Sequence, residues 1–194
     1  MTNKPCKQSI KRSVVPVSMT KLRLLHSYWS KKKQNNAFPA RKDIDPIDFH
    51  YALGDVSLID VEQNDTKGNP QFKVRLLGTN IQARIGHAFT NKDLDEFPEK
   101  DSLNKMRIAY KTVLKTREPV AYPSFFKVAE EFPPFICCIW PLSSDGQNID
   151  MLLCCRERVT NEPLSTDKFG LDSQHSTWPY QNWPENQLLQ HIVH

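Results

Sequence analysis

Residues 135–142, FICCIWPL, constrain this chain more than any other stretch. Side chains alternate across a strand, and an antiparallel sheet with one wet face shows apolar and polar residues in turn. Here Phe135, Cys137 and Ile139 share one face, and Ile136, Cys138 and Trp140 share the other. Both faces are apolar and bulky. Leaving either in water costs several kcal/mol at roughly 25 cal/mol per Å². A strand of this kind therefore needs a layer of structure on each side.

One cover is visible upstream. Leu22, Leu25 and Trp29 follow helical spacing, with Leu24 and Tyr28 beside them. The pattern predicts a helix over residues 20–35, with Ser18 or Thr20 as N-cap. Lys31, Lys32 and Lys33 fall in its last turn, where cations suit the helix dipole. This helix, from the same chain or from a partner, is expected on the Ile136, Cys138 and Trp140 face. The candidate interface is thus Leu22, Leu25, Trp29, Ile136, Cys138 and Trp140, and a homodimer is expected through it.

The remaining elements follow from local signals. Pro39 bars a helix through Phe38, and Asp45-Pro46 reads as an N-cap followed by Pro at the first helical position. A short helix is expected from Pro46 to about Leu53, stopped by Gly54. Strands are expected at 56–62 and 72–78, the latter with Phe72, Val74 and Leu76 on one face. Thr79 caps a short helix closed by Gly86 as its left-handed residue. Asp101 or Ser102 caps a longer helix to about Thr116, with Leu103, Met106, Tyr110 and Val113 on one stripe. Three strands follow at roughly 119–129, 134–142 and 149–158, and Ser144-Asp145-Gly146 marks a hairpin. Asp150 and Arg156 share one face of the last strand, so Met151, Leu153 and Cys155 are expected inward. The order is α+β: a five-stranded antiparallel sheet with helices on one face and an N-terminal helix flanking it.

Charge and cysteine usage bound the function. Residues 1–42 hold 11 Lys or Arg and no acidic residue; the remainder holds 15 basic and 22 acidic. The expected organisation is a basic leader at 1–17, a domain at 18–158 and an irregular tail at 159–194, in which residues 183–194 have the pattern of a short amphipathic helix. The leader reads as a solvated arm or as a contact for an anionic partner. Five cysteines, with no secretory signal, point to a reducing, cytoplasmic setting and free thiols packed as small hydrophobes. No stretch is long and apolar enough for a transmembrane segment.

Chemistry-bearing constellations are sparse. There is no phosphate-binding glycine loop and no nucleophile elbow. His175, His191 and His194 lack further ligands for a metal site, and Asp43/Asp45 and Glu130/Glu131 read as caps and solvated turns. No catalytic residue and no metal site is expected. Arg41 is expected to fix its corner on Asp43, Asp45 or a carbonyl, with anion binding as the functional alternative. A cavity under the long helix would be lined by Met106 and Tyr110 from the helix and Phe126, Met151 and Leu153 from the sheet. Arg84 and His87 would add polar contacts. A filled core is the alternative.

The order of elements is the PAS order, and local motifs narrow it. Tyr28-Trp29, Pro39-Ala40-Arg41, Asp43-Ile44-Asp45-Pro46, Phe72–Thr79 with Arg75 and its terminal Gly78-Thr79, Gly86–Thr90, Pro141-Leu142-Ser143 and Asp145-Gly146 appear in sequence. On these residues, over roughly 20–158, the chain resembles a PAS-like family found mainly in alphaproteobacteria and long labelled a domain of unknown function. Asn91 stands where that family usually has glycine, and Phe89 where it has an aliphatic residue. The resemblance implies a non-enzymatic sensory or interaction domain with no catalytic residues. No haem or flavin attachment signature is present, so no cofactor is expected. A PAS-type module acting through a signalling protein partner is the leading expectation, and a small-molecule ligand in the core is the second. Nucleic-acid or anionic-membrane binding through the basic arm is the alternative.

Overall fold

The computed structural model describes residues 19–62, 68–85, 89–125, 134–158 and 178–179. The elements are α1 (Thr20–Lys33), β1 (Val56–Glu62), β2 (Gln71–Leu77), α2 (Thr79–Ile85), α3 (Lys100–Thr116), β3 (Val120–Phe125), β4 (Pro134–Leu142), β5 (Met151–Arg158) and β6 (Trp178–Pro179), with 3₁₀ segments at Arg41–Asp43, Pro46–Asp55 and Leu94–Glu96. Among the described residues, no helix is long and apolar enough to cross a membrane.

The strands form one antiparallel sheet in the order β2-β1-β5-β4-β3-β6. The five expected strands are present. The sixth comes from the region expected to be an irregular tail: Trp178 opposes Ala121 and Pro179 opposes Val120 on the outer edge of β3. Pro123, two residues beyond Ala121, has no N–H, and a proline inside a sheet keeps that gap on the edge side. The short ladder to β6 stops before it. Along the opposite edge Val74 exchanges backbone bonds of 2.6 and 2.9 Å with Asn91 and Lys92, and Lys73 bridges Asp93.

Both faces of the sheet are buried, as residues 135–142 require. One core gathers Leu22, Leu25 and Trp29 of α1 with Ile136, Cys138 and Trp140 of β4. The other packs Leu103, Met106, Tyr110 and Val113 of α3 on Cys137, Ile139, Leu152 and Cys154. The strand is therefore split by parity between two cores that share only the sheet. The cover over the first face comes from the same chain.

Several local expectations need correction. Met151, Leu153 and Cys155 face α1, and Leu152 and Cys154 face α3. Reading orientation from Asp150 and Arg156 fails because a strand buried on both sides has no wet face to mark. Leu76 is exposed, unlike Phe72 and Val74. Leu58 opposes Leu76 while Ile59 opposes Val74, so Arg75 has no counterpart. That bulge reverses the parity of the last residues of β2. The 46–55 segment is 3₁₀ with a kink at Phe49 (φ −133°, ψ 36°), and Gly54 does not end it; the segment runs to Asp55. Helix α3 begins two or three residues earlier than expected, at Lys100. Glu99 caps it, accepting from the Asp101 and Ser102 N–H groups at 3.1 Å each. The amphipathic segment at 183–194, the leader 1–17, Gly86 and the Glu130/Glu131 turn lie outside the described residues.

Candidate functional site

The 38–49 corner is built almost wholly from backbone satisfaction. Asp43 accepts from the Ala40 N–H at 2.9 Å, and Asp45 accepts from the Ile47 N–H at 2.9 Å. Arg41 donates to the Ile44 carbonyl at 2.8 Å, the carbonyl option of its three expected partners. Pro46 follows as the first residue of its segment. The Tyr28 hydroxyl accepts from the Asp45 N–H at 2.7 Å. The Pro39 carbonyl accepts from the Ser143 N–H at 3.0 Å, and Trp29 Nε1 donates to the Pro141 carbonyl at 2.9 Å. These bonds tie the end of α1 and the corner to the β4–β5 hairpin. Its Asp145 accepts from the Asn148 and Gln147 N–H groups, which hold that carboxyl well below its usual range.

The other end of α1 is fixed by charge. Asp55 accepts from Lys21 at 2.7 Å, Arg84 at 3.0 Å and Asn80 at 3.2 Å. Burial alone would raise the Asp55 carboxyl, but Lys21 and Arg84 outweigh it and hold it low. Arg84 also lies 4.5 Å over the Phe135 ring. Met19 provides no side-chain cap for α1. Glu157 of β5 reaches across instead and accepts from the Leu22 N–H at 3.1 Å. A carboxylate there meets the positive end of the helix dipole, and burial pushes its pKa up. Midway along α1, His26 Nδ1 accepts from Trp140 Nε1 at 3.0 Å, and burial lowers the imidazole to about 4. Helix α1 is thus clamped by polar contacts at both ends and its middle.

The candidate pocket assembles only in part. Met106 and Tyr110 are buried together under α3, and the Tyr110 and Phe72 rings meet edge-on at 5.2 Å. Met151 and Leu153 lie on the opposite face, and Arg84 is engaged with Asp55. His87 and Phe126 lie outside the described residues. The sheet side of this core carries Tyr122, Cys137 and Cys154, which the sequence reading omitted. The cysteine doublets held the signal, because adjacent residues in a strand must send one thiol to each face. Cys154 Sγ stands 4.0 Å from the Tyr110 hydroxyl. Burial raises the Tyr110 and Tyr122 hydroxyls and all four strand thiols, so these groups stay neutral.

The six interface residues do come together, but inside one chain. Leu22 and Leu25 are fully buried, as are Cys138 and Trp140. They are a core, not a surface offered to a second copy. The remaining motif residues are structural. Arg75 pairs with Asp60 at 3.3 Å, and Thr79 opens α2. A Cβ on Gly78 would lie 2.4 Å from the Leu53 carbonyl oxygen, so only glycine fits this crossing. Asn91 has φ +64°, the left-handed conformation that the resembled family's glycine would take, and asparagine tolerates it. Phe89 is buried edge-on against Phe97 at 5.4 Å. Among the described residues no group of three or more metal-ligating side chains occurs.

A family model described as a PAS domain matches residues 17–128, more than half of the chain. The chain belongs to the PAS domain family. PAS domains are sensory and signalling modules, and the sheet flanked by α3 and α1 is the PAS-like α+β fold. No curated protein matches the chain. Among solved structures, the PAS domain from Bordetella pertussis BvgS aligns at 12% identity over 56% of this chain and 79% of that one, with a TM-score of 0.44. The histidine kinase ThkA in complex with response regulator protein TrrA aligns at 12% identity over 60% of this chain and 31% of that one, with a TM-score of 0.40. Scores this low carry no argument about this PAS domain.

Proposed function

We propose that this PAS domain is a non-enzymatic signalling module that works through protein contacts, without a cofactor, and passes its signal through α1. The single observation behind the reading is the shared sheet. Cys137 and Ile139 pack under α3 while Ile136, Cys138 and Trp140 pack under α1. A shift of packing on one face must be felt by alternate residues of the same strand, because cores at native density do not absorb displaced volume. A change under α3 would therefore reach the clamps at Glu157, Asp55 and His26.

The described groups also speak against chemistry. The buried hydroxyls and thiols are held neutral, and the engaged carboxylates satisfy backbone groups or cations. To test the reading, the full tagged chain is cross-linked in its native host and purified. A signalling protein is expected to co-purify in stoichiometric amount and to be lost when Asp55→Ala loosens α1. Recovery of the chain alone would overturn it.

A small-molecule ligand under α3 is a second reading. The cluster of Tyr110, Tyr122, Cys137 and Cys154 favours it, since it places polar atoms inside an otherwise apolar core. Metabolites are expected to raise the melting temperature of wild type, and Tyr110→Phe is expected to blunt that shift. A screen with no shift on wild type removes this reading and leaves the first intact.

A further inference from the structure

Large exposed hydrophobic side chains are concentrated on one ledge of the molecule. Among the described residues six are exposed, and four of them, Leu24, Ile47, Tyr51 and Leu53, belong to α1 and the 46–55 segment. The two segments run side by side. Lys21 meets Asp55, Tyr28 stacks near Phe49 at 5.5 Å, and Lys32 meets Asp48 at 3.3 Å. Leu24 lies on the same stripe of α1, between Lys21 and Tyr28, and so beside the seam. It is 51% exposed, and Ile47 is 77% exposed. The two sheet faces are covered, and both outer strands meet other backbone along part of their edges. Among the described residues the ledge holds most of the large exposed apolar side chains, Leu76 and Ile108 being the others.

We propose that this ledge, centred on Leu24, Ile47 and Tyr51, is the docking surface for an acidic amphipathic helix of a partner protein. Charge selects that occupant. Helix α1 carries Lys21, Arg23, Lys31, Lys32 and Lys33 and no acidic residue. The adjoining 41–55 stretch adds Arg41 and Lys42 and four aspartates, so the two segments together keep a net charge of +3. Asp43 holds the Ala40 N–H, Asp45 the Ile47 N–H, Asp48 binds Lys32 and Asp55 binds Lys21 and Arg84. Two copies meeting ledge to ledge about a two-fold axis would set cations against cations. A helix with an apolar stripe and glutamate or aspartate flanks matches both the apolar strip and its rim. The inference rests on the signalling reading above and supplies the partner's chemistry.

The test uses the full chain and three synthetic helical peptides with one shared leucine stripe and flanks of glutamate, glutamine or lysine. The glutamate peptide is expected to bind about tenfold or more tightly than the glutamine peptide, with the lysine peptide weakest, and the preference should shrink with added salt. Amide protection should fall on α1 and residues 46–55. Ile47→Glu and Leu24→Glu should abolish binding while leaving the melting temperature unchanged, since both side chains are exposed. Equal affinities, no binding, or protection elsewhere would overturn the proposal. So would a full-chain dimer dissolved by Ile47→Glu, or binding to phosphatidylserine vesicles without binding of the glutamate peptide. A signalling partner that co-purifies but is insensitive to Ile47→Glu would sink this docking surface while sparing the broader function.

Discussion

Single residues carry more of this fold than their types suggest. Gly78 is required by space, not by backbone angle. Gly78→Ala would push a methyl group into the Leu53 and Gly54 carbonyls, backbone that cannot swing aside. It should cost about 2–3 kcal/mol. Gly68→Ala is the control, since nothing lies within 4 Å and only its φ of +78° is at stake; about 1 kcal/mol is expected. Denaturant melts of the two variants check the contrast, and equal losses would refute it. His26 gives a pH signature. Its folded pKa of about 4 lies below the ordinary 6.5, so the native state keeps the ring neutral while the unfolded chain protonates. Stability from this group is complete above about 6.5 and drains away as pH falls towards 4. Wild type should lose stability over that window relative to His26→Gln, and parallel curves for the two proteins would contradict the assignment.

At the scale of elements, α1 is the piece whose removal matters most. Leu22, Leu25 and Trp29 are each buried to 4% exposure or less. Burying side chains of this size stabilises by about 1.5–3 kcal/mol each, and the face they cover includes Trp140. The total approaches the ~5–15 kcal/mol that holds a typical domain together. A chain shortened to begin at Phe38 should therefore aggregate or unfold, as read by light scattering and circular dichroism. A monomer of unchanged melting temperature would show that α1 is dispensable. Helix α1 also shows how a local rule is overridden. Thr20 looked like a cap by type, yet it lies within the helix, and the distant Glu157 takes the Leu22 N–H. No spacing rule connects residues 22 and 157.

For the molecule as a whole, the two-core arrangement makes reactivity a readout of integrity. Cys137, Cys138, Cys154 and Cys155 are buried, two on each side of the sheet, and burial pushes all four thiols up. In native protein these four should resist a thiol reagent at neutral pH, and all four should react together in denaturant, because β4 and β5 hold both cores. Selective reaction of one pair without the other would mean that the cores open separately. The doublet composition of β4 and β5 made the burial legible from sequence. Cys138 lies under α1 as its alternation in β4 predicts, but which cysteine of β5 met which helix was not legible, because apolar residues on both sides of a strand erase the polarity mark that sets its face.

The sequence by itself determined the α+β order, the doubly covered strand, the α3 stripe and the capped corner at Asp43 and Asp45. Those features depend on periodicity and on side chains that satisfy backbone a few residues away. Only the tertiary structure decided that α1 covers its own sheet, that Met151 and Leu153 lie opposite Met106 and Tyr110, that Arg75 bulges, and that Glu157, Asp55 and His26 hold α1 down. Each of these is a contact between segments distant along the chain, chosen by packing volume and charge pairing, and local preference carries no record of such partners.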